Sequence, residues 1–422
     1  MVTKNILICY NVYMLTTYLL LLRRIYKITL FRIIMYKIWE IYSIIKLWFF
    51  CMKNNDFFYH YGLFGKSANT GDIVLYNGVE NLFDKIMDIK NIWYHRLAFG
   101  EITFLEIILI NKYCKLLIVG GHGLLMPESN INKNSGWGFN IKLENLKKIK
   151  IPIVFFAIGY NIFSEKDKFN IKFKNHLIEC VHKSLFFGLR DYGSINFIKS
   201  CLPDNLHEKI NFQPCPTTMI NIYKNNFIDI SNNTASEIAI SVAFNRFKDR
   251  FSKNYLNVFE QIIKYCEYMK RKGYKISFTG HHILDIHNKH SKHFGKYGFK
   301  IFPLYKYNEK YVLDYYKNKK LVISMRGHGL MIPFGLNVPI ISITTQSKQK
   351  WFIETIRHDE WNINIDDNIY DRLIMQSEKI INNYSYIKNE MYDIQKNNMY
   401  ISEKNIKYII DKINVKIKEG HE

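Results

Sequence analysis

Short apolar runs, rich in β-branched and aromatic residues, alternate along this chain with longer stretches whose apolar positions recur every three to four residues. The runs at 56–62, 116–119, 151–158, 186–189, 237–242, 274–279, 321–323 and 338–343 read as buried strands. The stretch 73–86, apolar at 75, 79, 82, 83 and 86, reads as a helix, as do 140–149 and 257–272. Most of the runs end in a glycine turn: Gly62, Gly120-Gly121, Gly159, Gly280 and Gly327. Strand, glycine turn, helix, strand is the local grammar of a parallel sheet that holds ligands at the carboxyl ends of its strands. Repeated in two halves, it predicts an α/β protein of two doubly wound, Rossmann-like domains facing a cleft. The expected division is an apolar, basic extension (1–51), a first domain (52–221), an Asn-rich polar linker (222–236), a second domain (237–370) and a solvent-facing helical tail (371–422).

The densest of these segments is 321–343. Two buried strands bracket Arg326-Gly327-His328-Gly329 and an apolar helical stretch. The turn offers a fixed cation, a titratable imidazole, and glycines that let backbone N–H groups approach an anion. A purely structural turn has the same residues. The rigid flanking strands and the two-residue spacing of Arg326 and His328 favour a shared cleft instead.

Other strand ends carry further candidates. The glycine-rich loop 62–72 holds Asn69, Gly71 and Asp72, and matches neither a Walker loop nor a Gly-x-Gly-x-x-Gly turn. Asp72 reads as a helix cap or as a residue facing a ligand. His122, in Gly-Gly-His-Gly, is a substrate contact or a solvated loop residue. Trp137 reads as a sugar platform at the cleft rim or as core. Arg190 and Asp191 read as an ion pair or helix cap ahead of a catalytic role. Arg246, past the strand 237–242, reads by itself as part of an exposed basic loop with Lys248 and Arg250. At Gly280-His281-His282 the two imidazoles face opposite sides, and His281 is taken as the cleft residue. Cys215, between two prolines, has no base nearby and reads as inert.

Length and composition set the frame. At 422 residues the chain has room for two domains, and 48% hydrophobic with 23% charged residues describes a globular protein. Lys and Arg outnumber Asp and Glu 59 to 37, a net charge of +22 that suits anionic partners such as a phosphorylated substrate or a membrane surface. The lysines are dispersed, and no zinc finger, basic zipper or RNA-binding aromatic motif is present, so no nucleic-acid partner is expected. Seven irregularly spaced cysteines without Cys-x-x-Cys fit a reduced cytoplasmic protein and no zinc site. Residues 5–22 carry no charged side chain and end at Arg23-Arg24, which is just long enough to span a bilayer. The extension is therefore read as a membrane anchor, a peripheral hairpin at the inner face of the membrane, or residues upstream of a start at Met52.

These motifs resemble the polysaccharide pyruvyl transferase family. Arg326-x-His328, a following small residue and Gly335-x-x-x-Pro339 match its late signature. Asn69-x-Gly71-Asp72 matches its glycine-rich amino-terminal motif, and Arg190-Asp191-x-x-Ser194 a middle one. Gly327 and His122 depart from the family pattern, which has a larger apolar residue and a glycine there. The resemblance implies a fold like the GT-B glycosyltransferases. It also implies transfer of a pyruvyl group from phosphoenolpyruvate, a co-substrate with no further cofactor, to sugar hydroxyls as a ketal. The partners implied are phosphoenolpyruvate and a glycan or lipid-linked sugar in cell-surface glycan synthesis. On that reading His328 and Arg326 are catalytic. Arg246, Gly280, His281, Gly327 and Gly329 bind the donor; Asn69, Gly71, Asp72, His122 and Arg190 face the acceptor; no metal is involved. The alternatives are a GT-B glycosyltransferase using a nucleotide sugar, and a non-catalytic glycan binder on the same fold. The absence of Asp or Glu between 321 and 349 counts against the former, which needs an acid for the ribose.

Overall fold

The computed structural model describes residues 29–63, 69–127, 132–162, 168–224, 235–251, 255–365 and 368–419. The run 5–22 lies outside them, as do 64–68 of the glycine-rich loop and 225–234 of the expected linker. The chain divides into two units after Phe50. The described part of the first is helix α1 (Thr29–Cys51), which exposes Ile38, Ile41, Ile45, Trp48 and Phe49. No helix among the described residues is long and apolar enough to cross a membrane.

The larger unit holds two six-stranded parallel sheets with flanking helices. Strands β1 (Phe57–Gly62), β2 (Trp93–Leu97), β3 (Cys114–Gly120), β4 (Ile153–Ile158), β5 (Ser184–Leu189) and β6 (Ile210–Phe212) form the first, in the order β2-β1-β3-β4-β5-β6. Strands β7 (Glu237–Val242), β8 (Lys275–Gly280), β9 (Ile301–Pro303), β10 (Leu321–Ser324), β11 (Ile340–Thr344) and β12 (Asn362–Asn364) form the second, in the order β12-β11-β10-β7-β8-β9. Every ladder is parallel, for example Val322 opposite both Ala239 and Ile340. Central strands covered on both faces read as unbroken apolar runs, and β4 and β10 are buried at every residue. The edge strands β2, β6, β9 and β12 are short or alternating, which is why the hydrophobic pattern did not single them out.

The longer helices are α2 (Thr70–Met87), α3 (Phe104–Tyr113), α4 (Ile171–Lys183), α5 (Tyr192–Cys201), α6 (Tyr255–Arg271), α7 (Glu309–Lys317), α8 (Gly327–Gly335), α9 (Ser347–Thr355), α10 (Ile369–Asn382) and α11 (Tyr384–Glu419). The strand order reverses between β1 and β3 in one sheet and between β7 and β10 in the other. Such switch points open a crevice at the carboxyl ends of the strands. Here the two crevices face each other. The N-terminus of α2 bridges them, since Thr70 N–H donates to the His281 carbonyl at 2.9 Å and Asn69 pairs with His282.

The carboxyl-terminal tail is helical, but it is not solvent-facing. Ile387, Met391, Ile406, Ile409 and Ile413 of α11 are buried. Its polar residues tie the two halves: Gln395 donates to the Phe334 carbonyl at 2.7 Å, and Asn405 to the Phe212 carbonyl at 3.0 Å. Mixed charge on the outer face hid an apolar stripe at helical spacing. Trp137 is core as well, fully buried with its indole N–H 2.9 Å from His176 Nδ1, so it is no rim platform.

Candidate active site

Eight of the twelve strands deliver a residue to one cavity of about 290 Å³, through the loops at their carboxyl ends. From the first sheet come Leu63 after β1, Gly123 after β3, Asn161 after β4 and Arg190 after β5. From the second come Asn245 and Arg250 after β7, His282 after β8, Arg326, Gly327 and His328 after β10, and Lys348 after β11. Asn69 and Asp72, at the start of α2, complete the polar wall. Four Lys and Arg side chains face one lining carboxylate. This is the charge balance of a pocket for a small, multiply charged anion.

Each cation is held by its own framework. Arg326 pairs with buried Asp285, which also accepts from the backbone N–H groups of Phe244 and His282, both at 2.9 Å. Arg250 donates to the Thr345 hydroxyl at 2.7 Å and to the Asn245 carbonyl at 2.9 Å. Arg190 lies across Gly159, where a Cβ would come within 2.4 Å of its Nε, and stands 3.5 Å from Asp191. Burial, and then Arg250, Arg190 and Arg326, push the Lys348 ammonium well below its usual range; Asp72 pulls the other way. Burial and the neighbouring Arg326 likewise work against the charge of Arg250, although an arginine keeps its proton. A bound anion relieves both strains.

His328 is the second residue of α8, two residues after the N-cap Arg326. One edge of its ring packs on the N-terminus of α2. A Cβ on Gly71 would lie 2.4 Å from His328 Nδ1, so glycine is required there. Nε2, at the other edge, is buried without a hydrogen-bond partner among the described residues. Burial, followed by Arg190, holds the imidazole well below its ordinary range, against the pull of Asp72.

Asp72 does not cap its helix. The N-cap is Asn69, whose side chain accepts from Gly71 N–H. Asp72 instead turns into the cavity, backed by buried His122, whose Nδ1 is 3.5 Å away. Burial alone would raise this carboxyl; His122, by hydrogen bond and charge, then His328 and Lys348 outweigh it and lower it. The same face of α2 continues with Tyr76 and Glu80, four and eight residues on. Tyr76 stacks on buried His60 at 3.9 Å, and Glu80 reaches His60 and His95 at 3.0 and 3.1 Å. A polar seam therefore runs under the helix from the cavity to the sheet edge.

The cavity gathers Arg326, Gly327, His328, Asn69, Asp72 and Arg190 of the residues expected from sequence. The others stand elsewhere. Arg246 is exposed in a left-handed turn, and Arg250, one helical turn on, takes the cavity position, so the basic loop is only partly exposed. Of the two adjacent histidines, His281 faces the core and pairs with Tyr316, while His282 lines the cavity. Gly280 and Gly329 serve packing rather than anion approach. A Cβ would meet Asp285 at 2.9 Å at the first and Ser324 Oγ at 2.3 Å at the second. Gly71 and His122 stand behind the wall. Sequence reasoning takes in Lys348 only as part of the stretch 344–350, expected past the last strand to contribute hydrogen-bond donors, and passes over Asn161 and Asn245. Their common signal was available, since each lies just past a strand end in a doubly wound sheet.

The Arg326–His328 turn, the Asn69–Asp72 turn and Arg190 converge from three distant stretches on one cavity. The polysaccharide pyruvyl transferase model matches residues 31–347, most of the chain. The chain belongs to the polysaccharide pyruvyl transferase family. No curated protein sequence matches it. Among solved structures, a putative UDP-N-acetylglucosamine 2-epimerase from Listeria monocytogenes is similar over 86% of this chain and 97% of its own, at 12% identity and a TM-score of 0.51. The UDP-GlcNAc 2-epimerase of Methanocaldococcus jannaschii, solved with UDP-GlcNAc and UDP, covers 78% and 93% at 15% identity and a TM-score of 0.45. An alpha-glucosyltransferase solved with UDP and DNA covers 86% and 100% at 10% identity and a TM-score of 0.48. At these identities the Listeria likeness speaks for the two-domain, GT-B-like fold of this pyruvyl transferase family member, and for nothing finer.

Proposed function

We propose that this cavity transfers the pyruvyl group of phosphoenolpyruvate to two hydroxyls of a glycan as a ketal. The observation that carries the reading is the pairing of four buried or half-buried cations with His328, whose buried Nε2 has no hydrogen-bond partner among the described residues, in a cavity of small-molecule size. Phosphoenolpyruvate brings a phosphate and a carboxylate. Arg326, Arg250 and Arg190 supply planar forks suited to both, and Lys348 a point charge. Asn69, Asp72 and Asn161, on the facing wall, suit sugar hydroxyls.

The anion that enters also prepares the acid. Its negative charge offsets Arg190 and Lys348, which after burial work against the protonated imidazole, and so favours uptake of a proton on binding. His328 gives that proton to the methylene carbon, which becomes a methyl group. The first sugar hydroxyl forms its C–O bond to the adjacent carbon and passes its proton to Asp72. The second hydroxyl then forms the other C–O bond as the C–O bond to phosphate breaks, and its proton leaves with the phosphate. Transfer of the proton from Asp72 back to His328 closes the cycle.

Melting temperature tests the donor, because a ligand that binds only the folded state raises it. Phosphoenolpyruvate is expected to raise the melting temperature of the wild type and not of Arg326→Ala. A shift with a nucleotide sugar and none with phosphoenolpyruvate would move the reaction to glycosyl transfer on the same fold.

A further inference from the structure

A second and larger cavity, about 830 Å³, lies at the opposite end of the first sheet. Its floor is the amino ends of β5 and β6, and one wall is α11. Strand β5 links the two sites: Ser184 borders this cavity, and Arg190, just past the strand's end, lines the active site. At about 3.3 Å per residue the separation is about 20 Å. The lining here bears no resemblance to the anion pocket. Tyr400, Lys404 and Tyr408 stand at i, i+4 and i+8 on α11, one stripe of a helix. The tyrosines are 66% and 47% exposed, an uncommon investment of aromatic surface in water. Across from the stripe are Lys183 and Lys209, whose ammonium groups are fixed by the carbonyls of Lys147 and His182, each at 2.9 Å. Carbonyls orient these charges without neutralising them, and Glu208 is the one carboxylate in the lining.

Flat aromatic faces separated by one helical turn, with fixed cations opposite, suit a chain of rings that carries negative charge. From this we infer that the groove is a secondary binding site for an acidic segment of the glycan. The choice of ligand rests on the ketal-forming reading of the active site. Each ketal adds one carboxylate to the polymer, so the reaction converts its acceptor from a form this groove disfavours into one it favours. The groove therefore holds stretches already modified, while the active site, about 20 Å away, works on the rest of the same chain. Tethering of this kind raises the local concentration of unmodified units without any change at the catalytic residues.

Three tetrasaccharide probes test this by calorimetry on the full chain: neutral galactose, galacturonate, and galactose carrying a pyruvate ketal. Both acidic probes are expected to bind at least tenfold more tightly than the neutral one. The combined variant Tyr400→Ala, Lys404→Glu, Tyr408→Ala is expected to lose that preference while keeping the melting shift with phosphoenolpyruvate. Equal affinity for neutral and acidic probes, or wild-type affinity in the variant, would overturn the site. Galacturonate binding that is lost in the variant, in a protein that ignores phosphoenolpyruvate, would support the groove and overturn the catalytic reading alone.

Discussion

Asp72 sits between two imidazoles with different tasks. His328 shares the cavity with it; His122 stands behind it, with Nδ1 3.5 Å from the carboxylate. The two histidines are therefore separable by experiment. His328→Ala is expected to lower turnover by about 10²–10⁴-fold, the usual worth of a positioned acid or base, with little effect on the melting temperature. His122→Asn acts through Asp72 instead. With His122 gone, burial is opposed only by His328 and Lys348, so the carboxyl rises. The acid limb of the pH profile of kcat/KM then moves to higher pH. An unmoved acid limb would assign it to another group.

At the scale of elements, glycines separate close approach from mere turning. Helix α8 packs on the turn Pro216–Thr218 so tightly that a Cβ on Gly335 would stand 1.9 Å from the Thr217 carbonyl oxygen, a backbone atom that cannot step aside. Gly335→Ala is expected to destabilise by about 3 kcal/mol, the upper end for overpacking, and to disturb the end of the helix that carries His328. Gly295 lies in the short helix Ser291–Lys296 with open space where its Cβ would be. Gly295→Ala is expected to stabilise by about 0.5–1 kcal/mol. Urea unfolding of the two variants checks both signs, and a neutral Gly335→Ala would show that the helix can shift on its neighbour.

The molecule as a whole buries histidines that must stay neutral. Burial lowers His281 to about 3, His176 to about 4, and His60 as well. Each protonates near pH 6.5 when unfolded and not until a lower pH when folded, so the unfolded state binds more protons across that window and stability falls as pH falls. Glu80, held down to about 2 by His60 and His95 against the effect of burial, acts in the same direction. His176 alone accounts for a loss of about 3 kcal/mol on passing from above pH 6.5 to below pH 4. Melting temperature measured from pH 8 to pH 4 is expected to decline steadily below pH 6.5. A flat profile would mean that water reaches these rings in the folded state.

Much of this architecture was legible in the order of residues. Unbroken apolar runs marked the central strands, glycines marked most of their ends, and Arg326-x-His328 marked the site, because these features depend on neighbours along the chain. The edge strands were not legible: a three-residue strand such as β6 or β12 gains its order from the ladder beside it, not from its own pattern. The buried face of α11 depends on the two halves it ties together. The site followed the same rule. Strand ends named the loops, but which residue of each loop turns inward depends on packing. Arg250 reaches the cavity where Arg246 does not, His282 does where His281 does not, and Lys348 is brought in by the second sheet's own order. Sequence by itself determined the alternation of strand and helix, the strand-end loops and the chemistry they carry. Only the tertiary structure decided which side chains share one cavity, since burial and charge there are sums over elements more than a hundred residues apart.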